Sequence, residues 1–261
     1  WLHNTNRGKT DSYEKVIAGI KRVRDAIGDY KVSALMTTSE LSLNYPKEIV
    51  DAYRANGFNS MFIRSLNPYG LAKDNDDWPL YFDRFIDFYK EALEYIIEIN
   101  KSGETFIEEL TTMILKKILT PFPIGFVDLQ SPSGIVNGVI VYNYDGYVYA
   151  SDESRMLAEN GDYTFRLGKI TDDYNDVFYG KRVQELSRVW ATEYIAGCSD
   201  CAYQSICGAD PVRNYSTQGD EYGYRPGSTL CKKNKAIIEH VFTLLDTRKE
   251  ELMPIFQRWI T

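Results

Sequence analysis

The sequence predicts an α/β fold in its first part and an α+β region in its second part. Three observations carry this prediction: helix and strand patterns alternate up to residue 66, a Pro/Gly-rich stretch lies at 120–126, and a hairpin pattern lies at 138–151. Helices and strands that alternate with short connections are typical of parallel βα units. An Asp-Gly pair between two alternating strands is typical of a tight hairpin. At 261 residues the chain is long enough for one large domain or two ordinary ones.

The first part alternates between the helical period and the strand pattern. Apolar residues from Val16 to Ile27 keep a 3.6-residue period, which predicts an amphipathic helix. Capping residues, a first-turn proline and glycines fix the ends of the elements. The predicted elements are a helix from Asp11 to Gly28, a strand at 31–38, a helix at 46–57, a strand at 60–66 closed by the turn NPYG, and long helices at 79–101 and 105–119.

The second part begins at the linker TPFPIGF, which is the predicted domain boundary. We therefore predict two domains, 1–119 and 120–261. Asp145-Gly146 between alternating strands predicts the hairpin. The remaining predicted elements are a strand at 165–170, a helix at 176–197 that ends directly before the first cysteine, and helices at 231–247 and 249–259.

Charge and composition exclude several classes of protein. The formal charge of −7 argues against a nucleic-acid or anionic-membrane surface, because both need clustered Lys and Arg. No apolar run approaches the length of a membrane span, and no leader pattern is present. Four cysteines are too few for an oxidised scaffold, which favours a reducing cytoplasm. The chain opens with Trp1 instead of Met, which indicates a fragment of a longer protein.

The four cysteines form the clearest chemical pattern. CSDCAYQSIC holds Cys198, Cys201 and Cys207, and Cys231 follows in STLCKKNK. Two thiolates separated by two residues can bind one ion, and a third and a distant fourth cysteine complete a four-sulfur coordination shell. Disulfides and unrelated buried thiols are the alternatives. The spacing fits tetrahedral zinc as well as an iron–sulfur cluster and does not choose between them.

This cysteine pattern, C-x2-C-x5-C with a later Cys, resembles the SPASM domain of radical SAM peptide-modifying enzymes. YNYDGYVYASD with FRLGKI resembles the hairpin region of anaerobic sulfatase-maturating enzymes, and SALMTTSELSL with SMFIRSLNPYG is similar to the second half of a radical SAM partial barrel. Taken together, the segments most resemble the radical SAM maturases of the His-Xaa-Ser system.

The resemblance implies a specific architecture and activity. Residues 1–119 would be the C-terminal βα units of a radical SAM partial TIM barrel with its linking helices, and 120–261 an α+β SPASM-like auxiliary-cluster domain. The whole enzyme would use S-adenosylmethionine and a second [4Fe–4S] cluster to modify a ribosomally made peptide or protein. Cys198, Cys201, Cys207 and Cys231 would hold one auxiliary [4Fe–4S] cluster, with zinc as the alternative occupant.

The sequence departs from the family in two respects. The radical-forming C-x3-C-x2-C loop is absent, so this chain alone is not expected to generate the radical. The cysteines of a further auxiliary cluster are also absent: Ser151 and Pro211 stand at two of these positions, and QSPSGIVNG contains none.

Three other residues are candidates by the same resemblance. Asp152 matches an aspartate that sulfatase maturases use as a base, although a solvated Asp after a hairpin is the ordinary alternative. Arg64 and Asn67 follow the predicted strand at 60–66, where they would face the cofactor or the peptide, or simply shape the turn. His3 and His240, the only histidines, are expected to be ordinary polar residues.

One interpretation from another class remains open. The chain would then be a non-catalytic peptide-binding module with a structural four-cysteine zinc site. In both interpretations the partner is a peptide or protein, without nucleic acid or membrane.

Overall fold

The computed structural model describes residues 1–69 and 77–261, apart from the side chain of Tyr30. Its regular structure consists of helices and two small sheets. The helices are α1 (Leu2–Arg7), α2 (Ser12–Ile27), α3 (Pro46–Ala55), α4 (Trp78–Lys101), α5 (Glu109–Leu119), α6 (Asp152–Glu159), α7 (Tyr174–Tyr179), α8 (Lys181–Leu186), α9 (Pro211–Gln218), α10 (Thr229–Thr247) and α11 (Lys249–Ile260). The strands are β1 (Leu35–Thr38), β2 (Ser60–Ser65), β3 (Ile107–Glu108), β4 (Val141–Tyr142), β5 (Tyr147–Tyr149) and β6 (Arg166–Lys169).

The described chain divides into two units. The first contains residues 1–66, 77–116 and 239–261, and the second contains 67–69 and 117–238. The assignment of domains to 1–119 and 120–261 stays a prediction.

A parallel sheet in the order β1-β2-β3 organises the first unit. The predicted parallel βα arrangement is confirmed for β1, α3 and β2. Met61 and Ile63 alternate along β2 and are fully buried, which is the pattern of a strand covered on one face. Pro at the start of α3 and the cap by Asp77 at the start of α4 fit the predicted helix starts.

Helix α4 supplies a large share of the buried apolar side chains of the first unit. One side of this helix is buried through Phe82, Phe85, Tyr89, Leu93, Ile96 and Ile97. The hydroxyl of Tyr81 donates to the carbonyl of Thr38 at 2.6 Å and accepts from the amide of Leu66 at 2.8 Å, so that α4 is tied to the ends of β1 and β2. Among the described residues, no helix is both long enough and apolar enough to cross a membrane.

Helix α2 forms as predicted, but its apolar residues do not reach the core. Val16, Val23 and Ile27 are 45%, 41% and 57% exposed, and no residue of α2 is buried. Strand β1 lies at the edge of the sheet, and its Leu35 is 59% exposed. The 3.6-residue period therefore predicted the helix α2 correctly, but it did not predict that the apolar residues of α2 are exposed.

An antiparallel sheet, β4-β5-β6, and a core cluster organise the second unit. The predicted hairpin is confirmed, with Gly146 at φ 81° in the turn, a conformation that a residue with a Cβ rarely adopts. The strand predicted at 165–170 is β6. The buried members of the core cluster are Tyr69, Ile135, Ala150, Leu157, Phe165, Leu186 and Val212.

The structure corrects three predicted elements. The helix predicted at 176–197 is wrong: α7 and α8 are separated at Gly180, whose extended backbone (φ −66°, ψ 174°) breaks the helix. The helix predicted at 105–119 begins only at Glu109, because Ile107 and Glu108 pair with β2. The strand predicted at 31–38 begins at Leu35, since a 3-10 turn occupies residues 29–31. The predicted turn NPYG lies partly outside the described residues.

Candidate metal centre and polar pocket

Short turns carry the first three cysteines. The amide of Cys201 donates to the carbonyl of Cys198 at 3.0 Å, and the amide of Cys207 donates to the carbonyl of Tyr203 at 2.9 Å. Gly197 enters this turn with φ 76°, and a Cβ there would lie 2.4 Å from the ring of Pro226. The turn therefore requires glycine directly before the first cysteine.

Cys231 comes from the first turn of α10, and its backbone amide donates to the hydroxyl of Ser228 at 3.1 Å. All four cysteines are free thiols of intermediate exposure. Burial raises the pKa of Cys231, Lys235 lowers it, and the other three thiols raise it further. Burial likewise raises the pKa of Cys198, with further contributions from Cys207 and Cys201. The pKa values of Cys198 and Cys231 therefore depend on burial and on the charged groups nearby.

The donor set fits a metal or a cluster in its chemistry, since four thiols without a disulfide are the ligands that zinc and iron–sulfur clusters take. Within residues 1–69 and 77–261, however, no group of three or more His, Cys, Asp or Glu side chains is arranged to hold a metal ion. The side-chain amide of Asn234 on α10 donates to the sulfur of Cys207 at 3.6 Å. Ligation by the four cysteines therefore stays a prediction.

Gly208 allows the cysteine turn to approach the segment at 128–130. A Cβ on Gly208 would lie 2.4 Å from the carbonyl oxygen of Asp128 and 2.8 Å from the amide nitrogen of Gln130. We expect Gly208→Ala to lower the free energy of unfolding by about 2 kcal/mol, because backbone atoms cannot move aside cheaply. Thermal and urea unfolding measure this effect. Gly19→Ala is the control, since a Cβ at Gly19 meets nothing within 4 Å. A Gly208→Ala protein as stable as the control would contradict the close approach.

A small polar pocket lies in the second unit. Its polar lining residues are Asp128, Ser133, Ser151, Glu153 and Asp210. Ser151 caps α6 by accepting from the amide of Ser154 at 3.2 Å, and Asp210 caps α9 by accepting from the amide of Arg213 at 2.9 Å. The sequence resemblance sets Ser151 and Pro211, the first residue of α9, at two cysteine positions of a further cluster. No cysteine is among the described residues that line the pocket, so these residues do not fit a second iron–sulfur cluster.

The fold of the chain has known counterparts. A structure of hexahistidine-tagged anSMEcpe with bound AdoMet matches with a TM-score of 0.63 at 16% identity, over 92% of this chain and 61% of that chain. The chain resembles anSMEcpe in fold. Native anSMEcpe with AdoMet and the Cp18Cys peptide matches with a TM-score of 0.61 at 17% identity, over 89% of this chain and 62% of that chain. The complex with the Kp18Cys peptide gives 0.58 at 18% identity, over 87% and 60%.

The anSMEcpe enzyme is an anaerobic sulfatase-maturating enzyme of the radical SAM type. This chain spans about three fifths of its length. No protein-family model matches the sequence, and no curated protein does.

The other predicted site residues, Asp152, Arg64 and Asn67, each contact different neighbours. Asp152 is the first residue of α6, with 62% of its side chain exposed, and it forms a 2.9 Å ion pair with Arg155. Arg64 lies in β2 opposite Thr37 of β1. The side-chain oxygen of Asn67 accepts from Arg213 at 3.3 Å. The roles predicted for Asp152, Arg64 and Asn67 stay predictions.

The sequence did not indicate a groove beside the linker. A cavity of about 370 Å³ is lined by Lys117, by residues 120–124 and by 129–131. The ammonium of Lys117 donates to the carbonyl of Leu129, and burial lowers the pKa of Lys117. The polar pocket was also missed, because its residues are scattered from 128 to 210 and share no motif.

Proposed function

We propose that this chain is part of a radical SAM enzyme that modifies a ribosomally made peptide or protein with S-adenosylmethionine. The observation that carries the proposal is the fold similarity to anSMEcpe over 92% of the chain. Structures of that enzyme contain AdoMet and, in two cases, a peptide. Arg64 and Asn67 are the residues proposed to face cofactor or peptide, and Asp152 is the proposed base.

The four cysteines are proposed to hold one auxiliary [4Fe–4S] cluster. Cys198, Cys201 and Cys207 lie in the short turns, and Cys231 lies in the first turn of α10. A bound cluster supplies one-electron transfer. The protein's own contribution is to present four thiols without disulfides, to direct the Asn234 amide at the sulfur of Cys207, and to fix the turn through Gly208.

The chain itself lacks the radical-forming C-x3-C-x2-C loop, so we propose that this loop belongs to a preceding part of the protein. Two observations support this proposal. The edge strand β1 and the apolar residues of α2 are exposed, as expected where further strands and helices would continue the sheet. The chain also spans only 61% of anSMEcpe. A cytoplasmic location is proposed because the four thiols are free.

Anaerobic reconstitution tests the cluster. We expect about four iron and four sulfide per chain, with the broad visible absorption of a [4Fe–4S] cluster. Cys231→Ser should lower the iron content to at most half, because the only ligand from α10 is lost. Ser199→Ala, a change in the same turn that removes no thiol, is the matched control. Uptake of about one zinc and no iron would contradict the cluster.

The same measurement separates the second candidate function, a non-catalytic peptide-binding module with a structural zinc site. That candidate is favoured by Ser151 and Pro211, which stand at two cysteine positions of a further cluster in the resemblance, and by the absence of the radical-forming loop from this chain. It predicts one zinc per chain, and stability that depends on zinc alone.

A further inference from the structure

A buried arginine beside the cysteine turns has an unused hydrogen-bond donor. Arg225 is 4% exposed and begins the 3-10 turn Arg225–Gly227. Its Nη2 donates to the carbonyl of Gly208 at 2.6 Å, whereas its Nη1 has no hydrogen-bond partner among the described residues. A guanidinium stays charged when it is buried, and a buried charge is costly unless it is paired and hydrogen-bonded. The unpartnered Nη1 therefore points to a negatively charged acceptor.

The carbonyl of Gly208 also contacts a cysteine of the candidate metal centre. The thiol of Cys207 donates to this carbonyl at 3.8 Å, so the guanidinium of Arg225 and the sulfur of Cys207 meet at one oxygen atom. The side-chain amide of Asn234 donates to the same sulfur at 3.6 Å. Metal binding takes the proton from a thiol, after which the sulfur can only accept hydrogen bonds. A metal-bound sulfur at this place would therefore suit the unused donor of Arg225.

The turn that carries Arg225 also contacts the chain beside the first and the last cysteine. The ring of Pro226 lies against Gly197, where a Cβ would come within 2.4 Å of it, and Gly197 directly precedes the first cysteine. The hydroxyl of Ser228, directly after the turn, accepts from the amide of Cys231 at 3.1 Å. These contacts fix the position of the buried guanidinium relative to the cysteine segments.

Charge selects the partner of the guanidinium. The carboxylate of Asp210 lies in the field of Arg225, but burial raises the pKa of Asp210 and so disfavours its charged form. An oxygen of Asp210 also already accepts from the amide of Arg213 at 2.9 Å. Four thiolates around zinc or around an oxidised [4Fe–4S] cluster leave a net negative charge, because their charges outweigh that of the ion or of the cluster core. Charge therefore favours the sulfurs.

We propose that Arg225 is the positioning and charge-compensating residue of the four-cysteine site, with Nη1 donating to a metal-bound sulfur while Nη2 holds the carbonyl of Gly208. The inference rests on the proposed function in one respect, namely that the cysteines hold an inorganic centre. Two consequences follow. The buried positive charge strengthens metal binding, and it favours the reduced form of a cluster, which carries one more negative charge than the oxidised form.

Redox titration of the reconstituted full chain tests the role of the charge. Arg225→Gln should shift the equilibrium towards the oxidised cluster by about tenfold or more, which lowers the reduction potential by about 59 mV or more. Arg225→Lys keeps the charge and should stay within about threefold of wild-type protein. Lys235→Gln is the matched control, because it removes an exposed positive charge one turn along α10 from Cys231, where water screens it. An unchanged potential in Arg225→Gln, or an equal shift in Lys235→Gln, would overturn the proposal.

Cobalt(II) titration of the same proteins, followed by the thiolate-to-metal absorption, uses the metal alone and needs no cluster. Arg225→Gln should bind cobalt at least about tenfold more weakly than wild-type protein, and Arg225→Lys should bind it within about threefold. Circular dichroism checks that each variant is folded. If Arg225→Gln does not fold, Arg225→Lys decides: a folded lysine variant with tenfold weaker cobalt binding would overturn the role of the charge.

The two titrations separate this inference from the proposed function. A wild-type protein that binds cobalt but forms no cluster would remove the proposed [4Fe–4S] cluster, and the cobalt affinities would then decide on Arg225. Cluster loading with the same potential and the same cobalt affinity in wild-type and Arg225→Gln protein would overturn the inference alone. A wild-type protein that binds neither would overturn both.

Discussion

Replacing Glu108 with alanine is expected to lower the free energy of unfolding of the first unit by about 3 kcal/mol. Glu108 is fully buried at the end of β3. Its carboxylate accepts from the amide of Ile63 at 3.1 Å, the amide of Thr111 at 2.6 Å and the hydroxyl of Tyr89 at 2.7 Å. One side chain therefore joins β2, α4 and the start of α5.

The size of the effect follows from what the substitution leaves behind. The hydroxyl of Tyr89 keeps a second partner, the hydroxyl of Thr111 at 2.6 Å. The amides of Ile63 and Thr111 would lose the side-chain acceptor in a region that water does not reach, and each buried unsatisfied donor costs about 1–3 kcal/mol. Urea unfolding of wild-type and Glu108→Ala protein measures the difference.

Glu109→Ala is the matched control for this prediction. Glu109 is the first residue of α5, directly after Glu108, and it is only partly buried. Its replacement should cost about 0.5 kcal/mol, the value of one acidic group near a helix N-terminus. Equal destabilisation by the two variants would show that the hydrogen bonds of Glu108 do not contribute to the free energy of unfolding.

The pH dependence of stability gives a second test of Glu108. Burial raises the pKa of Glu108 above its ordinary value of 4.5, although its three hydrogen-bond partners oppose the shift. Between the unfolded and the folded pKa, the native state therefore holds a proton that the unfolded state has lost, and stability falls as pH rises through this window. Glu108→Ala should lack this fall. A wild-type stability that rises from pH 4.5 upward relative to the variant would contradict the direction.

Elements with a strong local signal were predictable from the sequence. Helix α4 has a long apolar period and a capping Asp77, and the hairpin has Asp145-Gly146, so both form where the pattern indicates. The pairing of Ile107 with Ser60 of β2 was not predictable, because it joins residues far apart in the sequence. The break at Gly180 has a local signal, the glycine itself, which the helix predicted at 176–197 did not take into account. Local propensity decides an element only where tertiary contacts do not override it.

The candidate site shows the same limit. The cysteines were found because ligand spacing is written into a short motif and because the chain has only four of them. The polar pocket has no such signal, because Asp128, Glu153 and Asp210 come from three separate segments. The family resemblance predicted a role for Asp152, whereas its neighbour Glu153 lines the pocket.

If the four cysteines hold a metal or cluster as proposed, its removal is expected to increase amide exchange in residues 198–207 by about a hundredfold or more. This segment contains little regular secondary structure, and its turns are held by backbone hydrogen bonds between residues close in sequence, such as that from the amide of Cys201 to the carbonyl of Cys198. The guanidinium of Arg225 donates to the carbonyl of Gly208 at 2.6 Å and provides one further tie. Isolated turns of this kind open readily when no metal or disulfide joins them. At a structural metal site, the free energy of metal binding contributes directly to the free energy of folding.

Hydrogen exchange measured by mass spectrometry, on loaded protein and on protein stripped with a chelator, tests this expectation. The segment 88–97 of α4 is the internal control, since it belongs to the first unit and its apolar residues are buried. Cys231→Ser should exchange like stripped protein even in the presence of metal, because without the thiol from α10 the turns are no longer joined to a helix. If the stripped and loaded forms protect 198–207 equally, the thiols do not act together. The assignment of a cluster to this unit would then fail, even though the fold of the chain resembles that of anSMEcpe.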